Sequence, residues 1–174
     1  WFAQAGDEID VNASMNAYRH YIPFMSDSYT KIPSSVICEG LDIWEGAGDR
    51  GDAAMYLFGG SFFALVTRKE AYLKELWPAI KWCAEYCRRK TGPEGVVCSD
   101  SDELEGRCPT DKYANLSTSC LAYGGYLLAA NLAEEMGEPD LAVVYRNRAA
   151  DLKVAMEAYF GEDLHGFHTY RYTK

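Results

Sequence analysis

Two stretches of this chain carry no charged residue over lengths that fit a long helix: Ala53 to Thr67 (AAMYLFGGSFFALVT) and Asn115 to Ala133 (NLSTSCLAYGGYLLAANLA). Each is followed by a heavily charged segment. Lys69 to Lys90 has an apolar stripe at Leu73, Leu76, Ile80, Cys83 and Cys87. Pro139 to Phe160 has one at Leu141, Val144, Tyr145, Ala149, Leu152 and Met156. Steps of three and four residues place such positions on one helix face. A helix without charge over about four or five turns must be buried on most of its surface, whereas a striped helix buries one side only. The order uncharged, charged, uncharged, charged therefore predicts two layers. Equivalent segments recur at about 60–70 residues, longer than the common short helical repeats.

Punctuation agrees with these limits. Arg88, Arg89 and Lys90 suit the negative end of a helix dipole, and Gly92-Pro93 stops the first charged helix. Pro78 must kink that helix or begin its main part, because proline lacks an N–H and clashes with the preceding turn. Ser and Thr near the start of the second uncharged segment are capping candidates, Gly137 fits a C′ position, and Gly161 ends the last helix. No alternating β pattern occurs before the final GFHTYRY. The expected fold is all-α: about two helical hairpins of an α/α toroid with long irregular loops, a plain stack of helix pairs being the alternative. Its parts are a mostly loop segment leading into the helices (1–52), a first hairpin (53–90), an acidic loop (91–114), a second hairpin (115–160) and a truncated loop or strand (161–174). The chain starts Trp1-Phe2-Ala3 and stops at Tyr172-Thr173-Lys174, which reads as a piece of a longer protein.

Composition narrows the partners. The 174 residues are 48% hydrophobic and carry 17 basic against 26 acidic side chains, a net charge of −9. That excess argues against nucleic acid, which needs clustered Lys and Arg, and against an anionic membrane surface. The uncharged run Tyr113 to Ala133 contains Asn115, Ser117, Thr118, Ser119, Gly124, Gly125 and Asn131, too polar a set for lipid. Six cysteines (38, 83, 87, 98, 108 and 120) are read as reduced and mostly buried thiols. They lack a Cys-x-x-Cys pair and are not spaced with His20, His165 or His168 as zinc ligands. Asn12-Ala13-Ser14 and Asn115-Leu116-Ser117 match the glycosylation sequon only as a pattern.

The acids are concentrated. Of 26, eleven lie in two loops that precede the uncharged helices: residues 39, 42, 45, 49 and 52 in the first, and 94, 100, 102, 103, 105 and 111 in the second. Glycoside hydrolysis needs a protonated carboxylic acid and an ionised carboxylate close together, which these loops could supply. Trp44 beside Glu45 offers a flat face for a sugar ring. The competing reading is that such acids cap helices and satisfy their dipoles. Asp100-Ser-Asp102-Glu103 has hard oxygen ligands for calcium but lacks EF-hand spacing. No Gly-x-Ser-x-Gly elbow surrounds Ser61, and no Walker or dinucleotide glycine pattern occurs.

Gly51-Asp-Ala-Ala-Met55, Glu75-Leu-Trp-Pro-Ala-Ile80, the Ser-Asp-Ser-Asp-Glu-Leu-Glu-Gly-Arg loop, and the Ala-Asn-Leu-Ser-Thr-Ser helix with its Leu-Ala-Glu-Glu-Met-Gly-Glu-Pro end together resemble the six-hairpin glycosidase superfamily. Its trehalase, glucoamylase and α-rhamnosidase-type members share an (α/α)6 barrel. The resemblance covers about Glu39 to Phe160. It implies a glycoside hydrolase whose site lies where loops enter the inner helices, with about a third of the ring present. On that basis Glu103 and then Glu45 are the expected catalytic carboxylates, with Asp102 and Glu105 as substitutes. Arg50, Arg107 and Trp44 are expected to contact substrate. His168 and Tyr170 in the tail are further substrate-side candidates. The implied partners are a carbohydrate and the remainder of the same catalytic domain, with no cofactor and no metal. The setting leans to the periplasm or exterior of a bacterium. A polysaccharide lyase would instead rest on Tyr170, His168 and Arg171. A non-catalytic helical-repeat module would have short, bland connections, unlike Thr91 to Lys112.

Overall fold

The computed structural model describes residues 8–33, 35–37, 42–44, 48–102 and 114–173. Helix α1 (Glu8–Tyr21) runs into a single 3₁₀ turn (Ile22–Phe24). Strands β1 (Ser35–Ile37) and β2 (Asp42–Trp44) follow, then α2 (Asp52–Thr67), α3 (Glu70–Arg89), α4 (Leu116–Glu135) and α5 (Pro139–Phe160). The chain closes on β3 (Gly161–Leu164) and β4 (Phe167–Tyr170). The described chain is mainly helical, as the hydrophobic pattern requires.

The four expected helices stand within a residue or two of their sequence limits. In α2 every residue but Val66 is buried or half-buried, which its lack of charge demands. Gly51 faces Thr118, and farther along Leu57 and Phe58 face Gly124 and Gly125. Contacts that advance together along both helices make α2 and α4 parallel neighbours. The approach is close: a Cβ on Gly125 would lie 2.6 Å from Leu57 Cγ and 3.0 Å from the Phe58 nitrogen. Helices α3 and α5 pack on α2 and α4 respectively. They also bridge each other through long side chains. Trp77 Nε1 and Lys81 Nζ both reach Glu138 Oε1, at 2.8 and 3.1 Å, and Arg148 lies 3.6 Å from Glu85. Two helical hairpins are thus stacked side by side, with α2 and α4 in one layer and α3 and α5 in the other.

Several details depart from the pattern. Of the two expectations for Pro78, the start of the main helix is excluded, because α3 runs through it as one continuous element. The missing N–H costs it the bond to the Lys74 carbonyl, and the proline faces water. Val144 belongs to the expected stripe of α5 yet is 41% exposed, while Tyr145, Ala149 and Leu152 are buried. The cap of α4 is Asn115, whose Oδ1 accepts from Thr118 N at 2.7 Å, rather than a Ser or Thr. At the other end Gly137 adopts φ +75°; its N–H bonds the Glu134 carbonyl and the next N–H bonds Ala133, a Schellman ending.

Helix α1 adds an element to the segment expected to be mostly loop. It buries only Ser14 and Met15, so it has no stripe to read. Met15 nonetheless enters the core, Tyr18 packs edge-on against Tyr56, and Arg19 grips Glu75 through Nε and Nη2 at 2.6 and 2.8 Å. The tail forms an antiparallel hairpin, with His165 and Gly166 both at positive φ in a two-residue turn of the I′ kind.

Among the described residues Cys83, Cys87, Cys98 and Cys120 are free thiols. Cys83 and Cys87 are buried, but Cys120 is exposed. No described helix is long and apolar enough to cross a membrane.

Candidate functional site

The N-terminal ends of α2 and α4 point the same way, and the two acidic loops meet there. The carbonyl of Asp49 accepts from the backbone N–H groups of Asp100 and Ser101 at 2.8 and 3.0 Å, and the Asp49 N–H donates to Asp100 Oδ2 at 2.9 Å. The glycines make this approach possible. Gly48 has φ +66°, and a Cβ there would fall 2.6 Å from Asp100 Oδ2.

Asp49 is almost fully buried and its carboxylate is well occupied. Oδ1 accepts from the Gly51 N–H at 2.9 Å; Oδ2 accepts the Tyr86 hydroxyl at 2.7 Å and has Lys90 Nζ at 3.8 Å. Burial, then the Asp49 charge, pushes the Tyr86 hydroxyl far above its ordinary pKa, so it stays a donor. Asp52 begins α2 and accepts the Arg50 N–H at 3.1 Å, as a first-turn carboxylate does. Asp49, Asp52 and Asp100 therefore tie the loops to the helices.

Asp102 is wholly buried. Its Oδ2 accepts the Tyr172 hydroxyl at 2.9 Å, and that hydroxyl lies 3.2 Å from Ser117 Oγ. The tail after β4 is strapped over the start of α4. Leu116 N–H donates to the Tyr172 carbonyl at 2.9 Å and Arg171 N–H to the Phe160 carbonyl at 2.8 Å. Thr173 Oγ1 lies 3.3 Å from the Ala114 carbonyl. Asn115, also wholly buried, donates from Nδ2 to Ser99 Oγ at 2.9 Å, while its Oδ1 accepts from Ser117 Oγ at 2.8 Å. The sequon at Asn115 is therefore closed to modification in the folded chain. The other one, at Asn12, has its amide oxygen bonded by Tyr72.

The expected site residues divide into three groups. Glu45, Glu103, Glu105 and Arg107 lie outside the described residues, and Trp44 is placed only as the last residue of β2. Asp102 and Arg50 are at the loop junction. Arg50 is turned inward, its side chain 10% exposed with Nη2 4.0 Å from Asp52 Oδ1. His168 and Tyr170 stand apart on the exposed hairpin. His168 meets Glu157 Oε1 at 2.7 Å and Asp163 Oδ1 at 3.1 Å, and Tyr170 donates to Glu157 Oε2 at 2.8 Å. That hydrogen bond raises the Tyr170 pKa.

The sequence pattern singled out neither Tyr172 nor Tyr86 for a role at this site. Nothing local announces a bond spanning 70 or 37 residues. Asn115 did carry a signal, since Asn before an apolar run is a strong N-cap. Among the described residues no group of three or more His, Cys, Asp or Glu side chains could hold a metal ion. Asp100 Oδ2, part of the possible calcium sequence, is taken by the Asp49 N–H.

No family model matches this sequence, and no curated protein is significantly similar to it.

Proposed function

We propose that the chain forms part of the catalytic domain of a glycoside hydrolase built as an α/α toroid. Its two hairpins are an arc of the ring, and the rest of the same domain completes it. The observation that carries this reading is the junction of the two acidic loops over the parallel N-termini of α2 and α4, where Asp49 bonds Asp100 and Ser101. An acid-rich loop pair held at one end of the more buried helix layer gives carboxylates that act on a substrate from neighbouring loops.

In this reading Asp49, Asp52, Asp100 and Asp102 fix the loops, and the chemistry falls to Glu103 and Glu45, with Glu105 as a substitute. Asp102, which Tyr172 anchors, immediately precedes Glu103 in the sequence. Trp44 and Arg107 supply ring and hydroxyl contacts. No cofactor is called for, because proton transfer and water attack need only carboxyl groups.

The test is turnover of an oligosaccharide panel by the full-length protein carrying Glu103→Gln or Glu45→Gln. Loss of a general acid or base should lower kcat on the order of 10²–10⁴-fold. Unchanged turnover in both variants would overturn the assignment, and absence of hydrolysis by the unmodified protein would overturn the class.

A further inference from the structure

A small polar cluster lies between the tail hairpin and α5. On β4, His168 and Tyr170 point toward α5, whereas Phe167 and Thr169 alternate to the opposite face. Each His168 ring nitrogen faces a different carboxylate: Nε2 lies 2.7 Å from Glu157 Oε1 on α5, and Nδ1 lies 3.1 Å from Asp163 Oδ1 on β3. Only the imidazolium can donate at both positions, because the neutral ring has one N–H and presents a lone pair to the other carboxylate. Its ring neighbour does not replace the lost charge: Tyr170 on the same strand packs edge-on at 5.4 Å and donates to Glu157.

The hairpin leads directly into the strap. Arg171 bonds the Phe160 carbonyl, Tyr172 receives the Leu116 N–H, and its hydroxyl holds Asp102. We propose that His168 is a proton-operated latch: protonated, it pins the β3–β4 hairpin to α5 and keeps the strap 171–173 over the start of α4; neutral, it lets the hairpin loosen. The polar groups at risk are the strap's bonds to Asp102 and Leu116, so the latch couples pH to the anchorage of those two residues. This inference stands on the hairpin geometry and does not depend on the hydrolase reading.

The sign follows from the partners. The Asp163 hydrogen bond, with the Glu157 charge and hydrogen bond adding to it, holds the folded His168 pKa above 6.5. The stabilisation is complete below that value and is lost as pH rises through the higher folded pKa.

The test uses the whole chain. NMR titration of the His168 ring should give a midpoint above 6.5 that falls in Glu157→Gln. Amide exchange corrected for intrinsic rates should show residues 162–172 protected several-fold better at pH 5.5 than at pH 8.5. His168→Gln should abolish that difference while the core of α2 and α4 is unaffected. A midpoint at or below 6.5 in the unmodified chain would overturn the latch. So would equal protection of 162–172 at both pH values, or a pH dependence that survives in His168→Gln.

Discussion

The Tyr172 hydroxyl donates to Asp102 Oδ2 at 2.9 Å, joining two side chains 70 residues apart. Asp102 is fully buried, so the bond satisfies a carboxylate that water does not reach. It also fastens the tail strap to the second acidic loop, a link that local sequence could not supply. Tyr172→Phe should therefore destabilise the chain by about 1–3 kcal/mol, the usual range for losing a hydrogen bond to a buried charged group. Urea unfolding would read this as a lower midpoint with an unchanged slope. A midpoint equal to that of the unmodified chain would mean that another donor replaces the phenol.

Gly51 and Gly137 separate backbone strain from crowding. Both have positive φ, +83° and +75°. A Cβ on Gly51 would lie 2.5 Å from Thr118 Oγ1, whereas one on Gly137 meets nothing within 4 Å. Gly137→Ala should cost about 1 kcal/mol for the left-handed conformation alone. Gly51→Ala should cost clearly more, because α2 and α4 must also part at their N-termini. Equal losses in thermal unfolding would refute the close contact.

Asn115 caps α4 through Oδ1 and holds Ser99 through Nδ2. Asn115→Ala should cost about 2 kcal/mol, the upper part of the range for lost caps, since the cap is buried. Asn115→Asp keeps the acceptor and loses the donor to Ser99, so it should fall between the two. The ranking in denaturant midpoints is the measurement; an Asp variant worse than Ala would show that charge at this buried position outweighs the cap.

Glu85 gathers three arginines. The Arg88 hydrogen bond, with Arg89 and Arg148 contributing, lowers its pKa to about 2. A depressed folded pKa adds stability above the ordinary value of 4.5, and that stability is lost as pH falls toward 2. Unfolding free energies measured from pH 6 to pH 2 should thus decline less steeply in Glu85→Gln than in the unmodified chain. Parallel pH profiles would remove Glu85 from the acid response.

By itself the sequence determined the helical hairpins, because burial of an uncharged helix and half-burial of a striped one are written in short-range periodicity. Capping residues and Gly137 set their limits for the same local reason. It also marked both acidic loops as the place to look. Helix α1 stayed hidden because only Ser14 and Met15 are buried there, and the exposure of Val144 depends on what lies beside α5 rather than on its spacing. Only the tertiary structure decided what the acids do. Asp49 became a loop tie through Tyr86 and Gly51, Asp102 a buried anchor through Tyr172, and His168 the partner of Glu157 and Asp163. A carboxylate's role depends on which donors reach it, and for Asp49 and Asp102 the side-chain donors come from α3 and from the tail. The Tyr86 and Tyr172 bonds exist only once each loop and the tail have folded back onto their helices.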